Sequence, residues 1–175
     1  MKNLRLVLTC QLFLVLTLIL PGTITAQDTT YRQQYELEYS ERIKKTHING
    51  RYIPKDLDEA IVELDKIVDM VGKAKFKAQP EENAVRKLHF SFGKWLIVNW
   101  GFYEGSRFSH FLRSHGVTYP DDMAATVMTC YHRHLNGRVL DFDSLAEAYA
   151  EKRQKEVSDR LHKGQVIEKR TLPKN

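Results

Sequence analysis

The side chains able to do chemistry fall in a few short runs. His132 and His134 are two residues apart. On a helix that spacing sets the rings about 200° apart, so they do not chelate one ion together. A helical metal pair needs a spacing of three or four. Asp121 and Asp122 are adjacent, a candidate pair for acid/base work. Neighbours at a helix start seldom converge on one substrate atom, and capping already accounts for both. Arg107 follows Ser106, a natural N-cap. It is placed to pair with one of those aspartates across a loop, or to hold an anion at a helix start. Trp95 and Trp100 are five apart, about 140° around a helix. Trp95 reads as core; Trp100, beside Asn99, Gly101, Phe102 and Tyr103, reads as core or as the wall of an aromatic pocket. Serine, histidine and aspartate are present, but no G-x-S-x-G elbow frames a nucleophile. His115, before Gly116, is an isolated candidate base. No P-loop, dinucleotide glycine fingerprint or C-x-x-C pair occurs. No cofactor, metal set or catalytic constellation is read from these residues.

These side chains need helices to position them. Asp56 caps a first helix, with Glu59 three residues on in a capping-box arrangement. Leu57, Ala60, Ile61, Leu64, Ile67, Val68 and Val71 make its apolar stripe, and Gly72 ends it. Residues 73–80 read as a basic connection. A second helix spans about 81–99, with Val85, Leu88, Phe92, Trp95, Leu96 and Asn99 on one face. Phe90, Ile97 and Val98 lie on other sides, which predicts that this helix is the central one. Ser106 starts a short third helix that buries Phe108, Phe111 and Leu112 and stops at Gly116. A fourth follows Pro120, carries Met123, Val127, Met128, Tyr131 and Leu135 inward, and closes at Asn136-Gly137. A last helix starts near Asp143-Ser144, with Leu145, Ala148 and Tyr149 inward. The expectation is an all-α single-domain bundle of about five helices.

The chain has 175 residues, 42% hydrophobic and 28% charged, with a formal net charge of +5. That length supports one domain with a core of its own, and the composition excludes a fibrous or wholly disordered chain. Lys2 and Arg5 precede an apolar run, Leu6 to Leu20, then Pro21-Gly22 and Thr25-Ala26. This is the layout of a secretory leader, with cleavage placed after Ala26. The run is shorter than the roughly 20 residues that span a bilayer. Cleavage would leave 149 residues with Cys130 as the one cysteine, so no internal disulfide forms and the thiol reads as a small buried hydrophobe.

Residues 27–47 are polar and tyrosine-rich: Tyr31, Tyr35, Tyr39 and Ile43 recur every four, while Tyr35, Leu37 and Tyr39 alternate. The reading is a weak helix, then a turn at Asn49-Gly50, with a short strand-like stretch as the alternative. Residues 48–150 make the helical domain. Residues 151–175 form a charged tail of eight Lys/Arg and four Asp/Glu, with acid-first pairs Glu151/Lys155, Glu156/Arg160 and Asp159/Lys163. Aromatics are absent from it, so no stacking platform for nucleic acid is present.

Several runs together carry a resemblance. They are Phe90-Ser91-Phe92-Gly93-Lys94-Trp95, Asn99-Trp100-Gly101, Gly105-Ser106-Arg107, Tyr119-Pro120-Asp121-Asp122-Met123 and Tyr131-His132-Arg133-His134-Leu135-Asn136-Gly137, after the opening Ile48 to Leu57. Over about residues 40–150 the chain resembles an uncharacterised bacterial domain-of-unknown-function family of small exported or cell-envelope proteins. The resemblance implies a mostly helical domain and no established activity or ligand. That family often has tyrosine where this chain has His134.

The functional expectation is an exported, periplasmic or secreted, non-enzymatic binding or protein-interaction domain with no membrane span after cleavage. Its candidate surface is Asn99, Trp100, Ser106, Arg107, Asp122, His132, Arg133 and Asn136, polar groups gathered at helix ends. An aromatic wall beside an arginine suits a protein, a peptide or a small anionic or polar ligand. The alternatives are a small hydrolase-like enzyme using His132 or His115 with an aspartate, and an immunity- or inhibitor-like protein.

Overall fold

The computed structural model describes the backbone of residues 23–168 and the side chains of residues 30–162. The apolar run of residues 6–20, read from the sequence as part of a leader, lies outside the described residues. Contacts divide the chain into two units, Met1–Ser40 and Glu41–Asn175. In the first, helix α1 (Thr23–Arg42) begins and continues past the unit's end. Its four-residue tyrosine spacing is realised as a helical stack, Tyr35 on Tyr39 with ring centroids 6.4 Å apart.

The second unit opens with a hairpin, β1 (His47–Ile48) and β2 (Arg51–Tyr52), paired antiparallel. The predicted turn at Asn49-Gly50 is its corner, and both residues have positive φ, 49° and 74°. Asn-Gly tolerates that conformation at little cost, which is why the dipeptide closes two-residue hairpins. The alternation of Tyr35, Leu37 and Tyr39 does not make a strand: that stretch is helical, as the four-residue spacing predicts, and the short strands flank the Asn49-Gly50 turn instead.

Then come α2 (Leu57–Ile67), α3 (Met70–Lys77), α4 (Glu81–Leu88), a π-turn (His89–Gly93), α5 (Lys94–Asn99), α6 (Arg107–Ser114), α7 (Pro120–Leu135) and α8 (Phe142–Glu168). The fold is mostly helical, as expected, but two expected helices are broken. The apolar stripe expected to run through Val71 is interrupted at Val68, where φ and ψ turn extended. Asp69 caps a new helix, accepting from the Gly72 amide at 2.6 Å. Gly72 therefore sits inside α3 rather than ending α2, and the expected basic connection is that helix, with Phe76 buried. The helix expected over 81–99 contains the π-turn, in which the Lys94 amide donates to the His89 carbonyl. The wider turn inserts an extra residue and changes which side chains face inward. Gly93 lies where it crosses α7: a Cβ there would meet Met128 Sδ at 3.3 Å, closer than most side chains come.

The central helix is α7, not the 81–99 segment. Met123, Ala124, Thr126, Val127, Met128, Cys130 and Tyr131 are all fully buried, more than one side of a helix. It packs against α2, α3, α4, the π-turn, α5, α6 and α8. Thr126 and Thr129 satisfy their hydroxyls on the Asp122 and Ala125 carbonyls, at 2.8 and 2.9 Å, so these polar residues can line a core. An aromatic cluster fills the other end of the domain. Trp100, 1% exposed, meets Phe108 edge-on at 5.2 Å, and Phe111 stacks on Phe142. Such pairs add about 0.5–1.5 kcal/mol each beyond area burial. On α8 Ala146 is buried and Leu145, as expected, packs on the core; Ala148, expected inward, is exposed.

Candidate functional site

The eight expected surface residues lie in three places. At the first, Trp100 is sealed in the aromatic cluster, and Asn99 folds its amide back onto the Trp95 carbonyl at 2.9 Å. Ser106 is buried in a reciprocal capping box with Ser109. Arg107 turns away to the hairpin, where its Nε donates to the Ile53 carbonyl at 2.6 Å and its Nη2 to Glu59 at 3.3 Å. Its guanidinium lies 5.1 Å over the Tyr52 ring. The acid that Arg107 pairs with is Glu59, not Asp121 or Asp122. Glu59 also accepts from the Tyr52 hydroxyl at 2.6 Å and the Lys55 amide at 3.0 Å. These bonds, with Tyr52 foremost, hold its carboxyl well below the usual range, at about 2.

At the second place, Asp122 is buried against Arg153 of α8. At the third, the end of α7 gathers His132, Arg133 and Asn136 beside α4. Arg133 grips both oxygens of Glu81 at 3.2 Å and donates to the Leu140 carbonyl, and Arg138 bonds the same carboxylate. Burial alone would raise the Glu81 pKa, but the two arginines outweigh it and lower it. His132 donates from Nε2 to the Gln79 carbonyl at 2.9 Å, and Asn136 donates back to the His132 carbonyl. These groups fasten α7 to the segment entering α4.

His134 points the other way, to Asp65 at 2.9 Å, as residues two apart on a helix must. The same carboxylate takes the Tyr131 hydroxyl and Lys73. His115 donates to the Phe111 carbonyl and packs between Phe111 and Phe142. Among the described residues, no group of three His, Cys, Asp or Glu is placed to hold a metal ion. The buried Cys130 thiol is pushed up to about 12, which keeps it protonated and a poor nucleophile.

The open surface with apolar character lies elsewhere. A groove of about 580 Å³ runs between the α2–α3 junction and the π-turn, with Phe92, Trp95, Ile67 and Val68 along it and Arg51 and Asp69 at its edge. A second of about 470 Å³ lies between α3 and α4, over Phe76, Ala84 and Leu88, edged by Lys75 and Lys87. Gly72 lines both. The first is a trough with Phe92 and Trp95 along its floor. Ile67, 41% exposed, stands on the first groove and Leu88, 36%, on the second.

The trough was not read from the sequence. The signal lay in Asp69, which with Gly72 three residues later spells a cap and so a break between two helices. A polar cleft of about 470 Å³ also opens between the hairpin and the Gly101–Gly105 loop, lined by Arg42, Lys45, His47 and Glu104.

Residues 53–135 match the profile of a family described as Domain of unknown function (DUF6794). That span runs from the end of the hairpin to the end of α7 and holds nearly all of the trough; Arg51 lies just before it. Comparison with curated proteins returned no match, and comparison with solved structures returned none.

Proposed function

We propose that this protein is an exported, non-enzymatic protein-interaction domain that docks a partner along the trough between α2–α3 and the π-turn. The observation that carries the reading is the open groove itself, with half-buried Phe92 and Trp95 along it and Ile67, 41% exposed, beside them. Apolar side chains gathered in an open groove mark association surfaces. Export is supported by the leader pattern of residues 1–26. Among the described residues, no helix is long and apolar enough to cross a membrane. Against a hydrolase-like role stand the positions of the histidines: His132 and His115 each spend a ring nitrogen on a backbone carbonyl beside packed aromatic rings.

A photo-crosslinking residue at position 91, which lines the trough, compared with one at the exposed Val139, tests the reading in the native cell. The expected result is a discrete crosslinked partner from position 91 and none from position 139. Equal labelling from both, or none from either, overturns it.

A further inference from the structure

A second site stands apart from the trough, in the cleft between the hairpin and the Gly101–Gly105 loop, and the two share no lining residue. Its volume, about 470 Å³, falls in the range of small-molecule sites. Lys45, in the link between α1 and β1, supplies an ammonium, and Glu104, on the loop, supplies a carboxylate. Among the described residues, neither side chain makes a hydrogen bond or an ion pair, with each other or with any other group. Ile48 and Val98 add apolar surface. The backbone around Glu104 is fixed at two points. The Gly105 amide donates to the Gly101 carbonyl at 3.0 Å, and Arg42 Nη1 donates to the Glu104 carbonyl at 3.2 Å. Gly101 and Gly105 both have positive φ, 63° and 95°, a conformation that glycine takes without strain. The carboxylate is thus held on a closed turn before any ligand arrives, which lowers the cost of binding.

We propose that this cleft binds a small zwitterion, a molecule with a carboxylate and an ammonium on a short apolar body, as a free amino acid or a short peptide has. The ligand's carboxylate meets Lys45, with Arg42 beside it. Its ammonium meets Glu104, and its apolar part lies on Ile48 and Val98. The observation behind this is that an ammonium and a carboxylate line one cleft without neutralising each other, so a ligand bearing both charges satisfies both. A plain anion would face the like charge of Glu104, and a plain cation would face Lys45 and Arg42. His47 is held as wall, with Nδ1 against the Thr46 hydroxyl at 3.1 Å and its ring edge-on to Tyr52.

The test titrates the full protein calorimetrically with leucine and with leucyl-leucine. Each is compared with its N-acetyl form, which lacks the ammonium, and its C-terminal amide, which lacks the carboxylate. At least one free zwitterion should bind saturably, and its two blocked forms about tenfold more weakly, the worth of one charge-assisted bond. Whichever binds tighter, leucine or the dipeptide, separates a free amino acid from a short peptide as the source, and either supports the site. Glu104→Gln should weaken the zwitterion about tenfold and leave its N-acetyl form no weaker, while Lys45→Gln should weaken the zwitterion and spare the amide. Both side chains are exposed, so the thermal midpoint should hold in each variant. An N-acetyl form that binds as tightly as the free zwitterion overturns the proposal in favour of a plain anion site. An amide that does so overturns it in favour of a cation site. Saturable binding by neither leucine nor the dipeptide overturns it outright, and leaves the docking trough to stand or fall by crosslinking from position 91.

Discussion

Arg153, on the helix that runs from the core into the C-terminal segment, is bonded to the buried Asp122 at the start of α7, Nη2 to Oδ1 at 2.9 Å, and its guanidinium lies 4.3 Å over the Tyr119 ring. Asp122 is 5% exposed. The charged tail is therefore tied to the central helix at its first turn. Removing one partner of a buried pair strands the other in a poor solvent, which costs more than the pair contributes. Deleting residues 151–175 should lower unfolding free energy by about 2–3 kcal/mol. Asp122→Asn in the shortened chain should recover much of it. Urea melts of the three proteins check this; a shortened chain as stable as the full one contradicts it.

Glu59 makes stability depend on acidity. Its folded pKa, about 2, lies below the ordinary 4.5, so the folded state favours the carboxylate. A depressed pKa contributes stability above about 4.5 that is lost as pH falls toward 2. Glu59→Gln should be less stable than the native chain at pH 7 by about 1–2 kcal/mol. The gap should close across that acid window in thermal melts taken at stepped pH. A constant gap would show that Glu59 acts through packing alone.

Cys130 should resist thiol reagents. With its pKa pushed up by burial, and no exposure in the folded chain, it offers neither thiolate nor access. In protein without Cys10, labelling at pH 8 should be negligible natively and complete in denaturant. Rapid native labelling would mean that the α7 core opens readily.

Trp100→Ala should cost about 3–5 kcal/mol, because it empties the centre of the aromatic cluster, and should leave little folded protein at 37 °C. Arg133→Ala should also destabilise, by leaving Glu81 with one arginine fewer and the Leu140 carbonyl with only the weak Cys130 thiol as donor. A thermal midpoint unmoved by either change would restore them as surface groups.

The helices were legible because their apolar spacing and caps are local signals: Asp56, Ser106 and Pro120 each open the helix that they predict. The hairpin's corner was legible for the same reason in Asn49-Gly50. The break at Val68 was not, because the apolar stripe continues through it and the decision rests on one side-chain bond from Asp69. The π-turn was hidden for a different reason. It depends on how closely α7 approaches Gly93, a tertiary fact that periodicity does not carry. The candidate surface shared that blind spot. Arg107, Asp122, His132 and Arg133 are polar residues at helix ends, and polarity alone does not tell a binding group from one that fastens two helices. Only the partners, Ile53, Arg153, Gln79 and Glu81, separate the two.

The central claim is that the apolar side chains lining the trough serve association rather than folding. Ile67→Asp tests it most directly, read at once by thermal midpoint and by crosslinking from position 91 to the native partner. Association predicts a midpoint little changed and a crosslink lost, since Ile67 lines the trough and is already 41% exposed. A midpoint that falls by many degrees while the crosslink persists would contradict the claim.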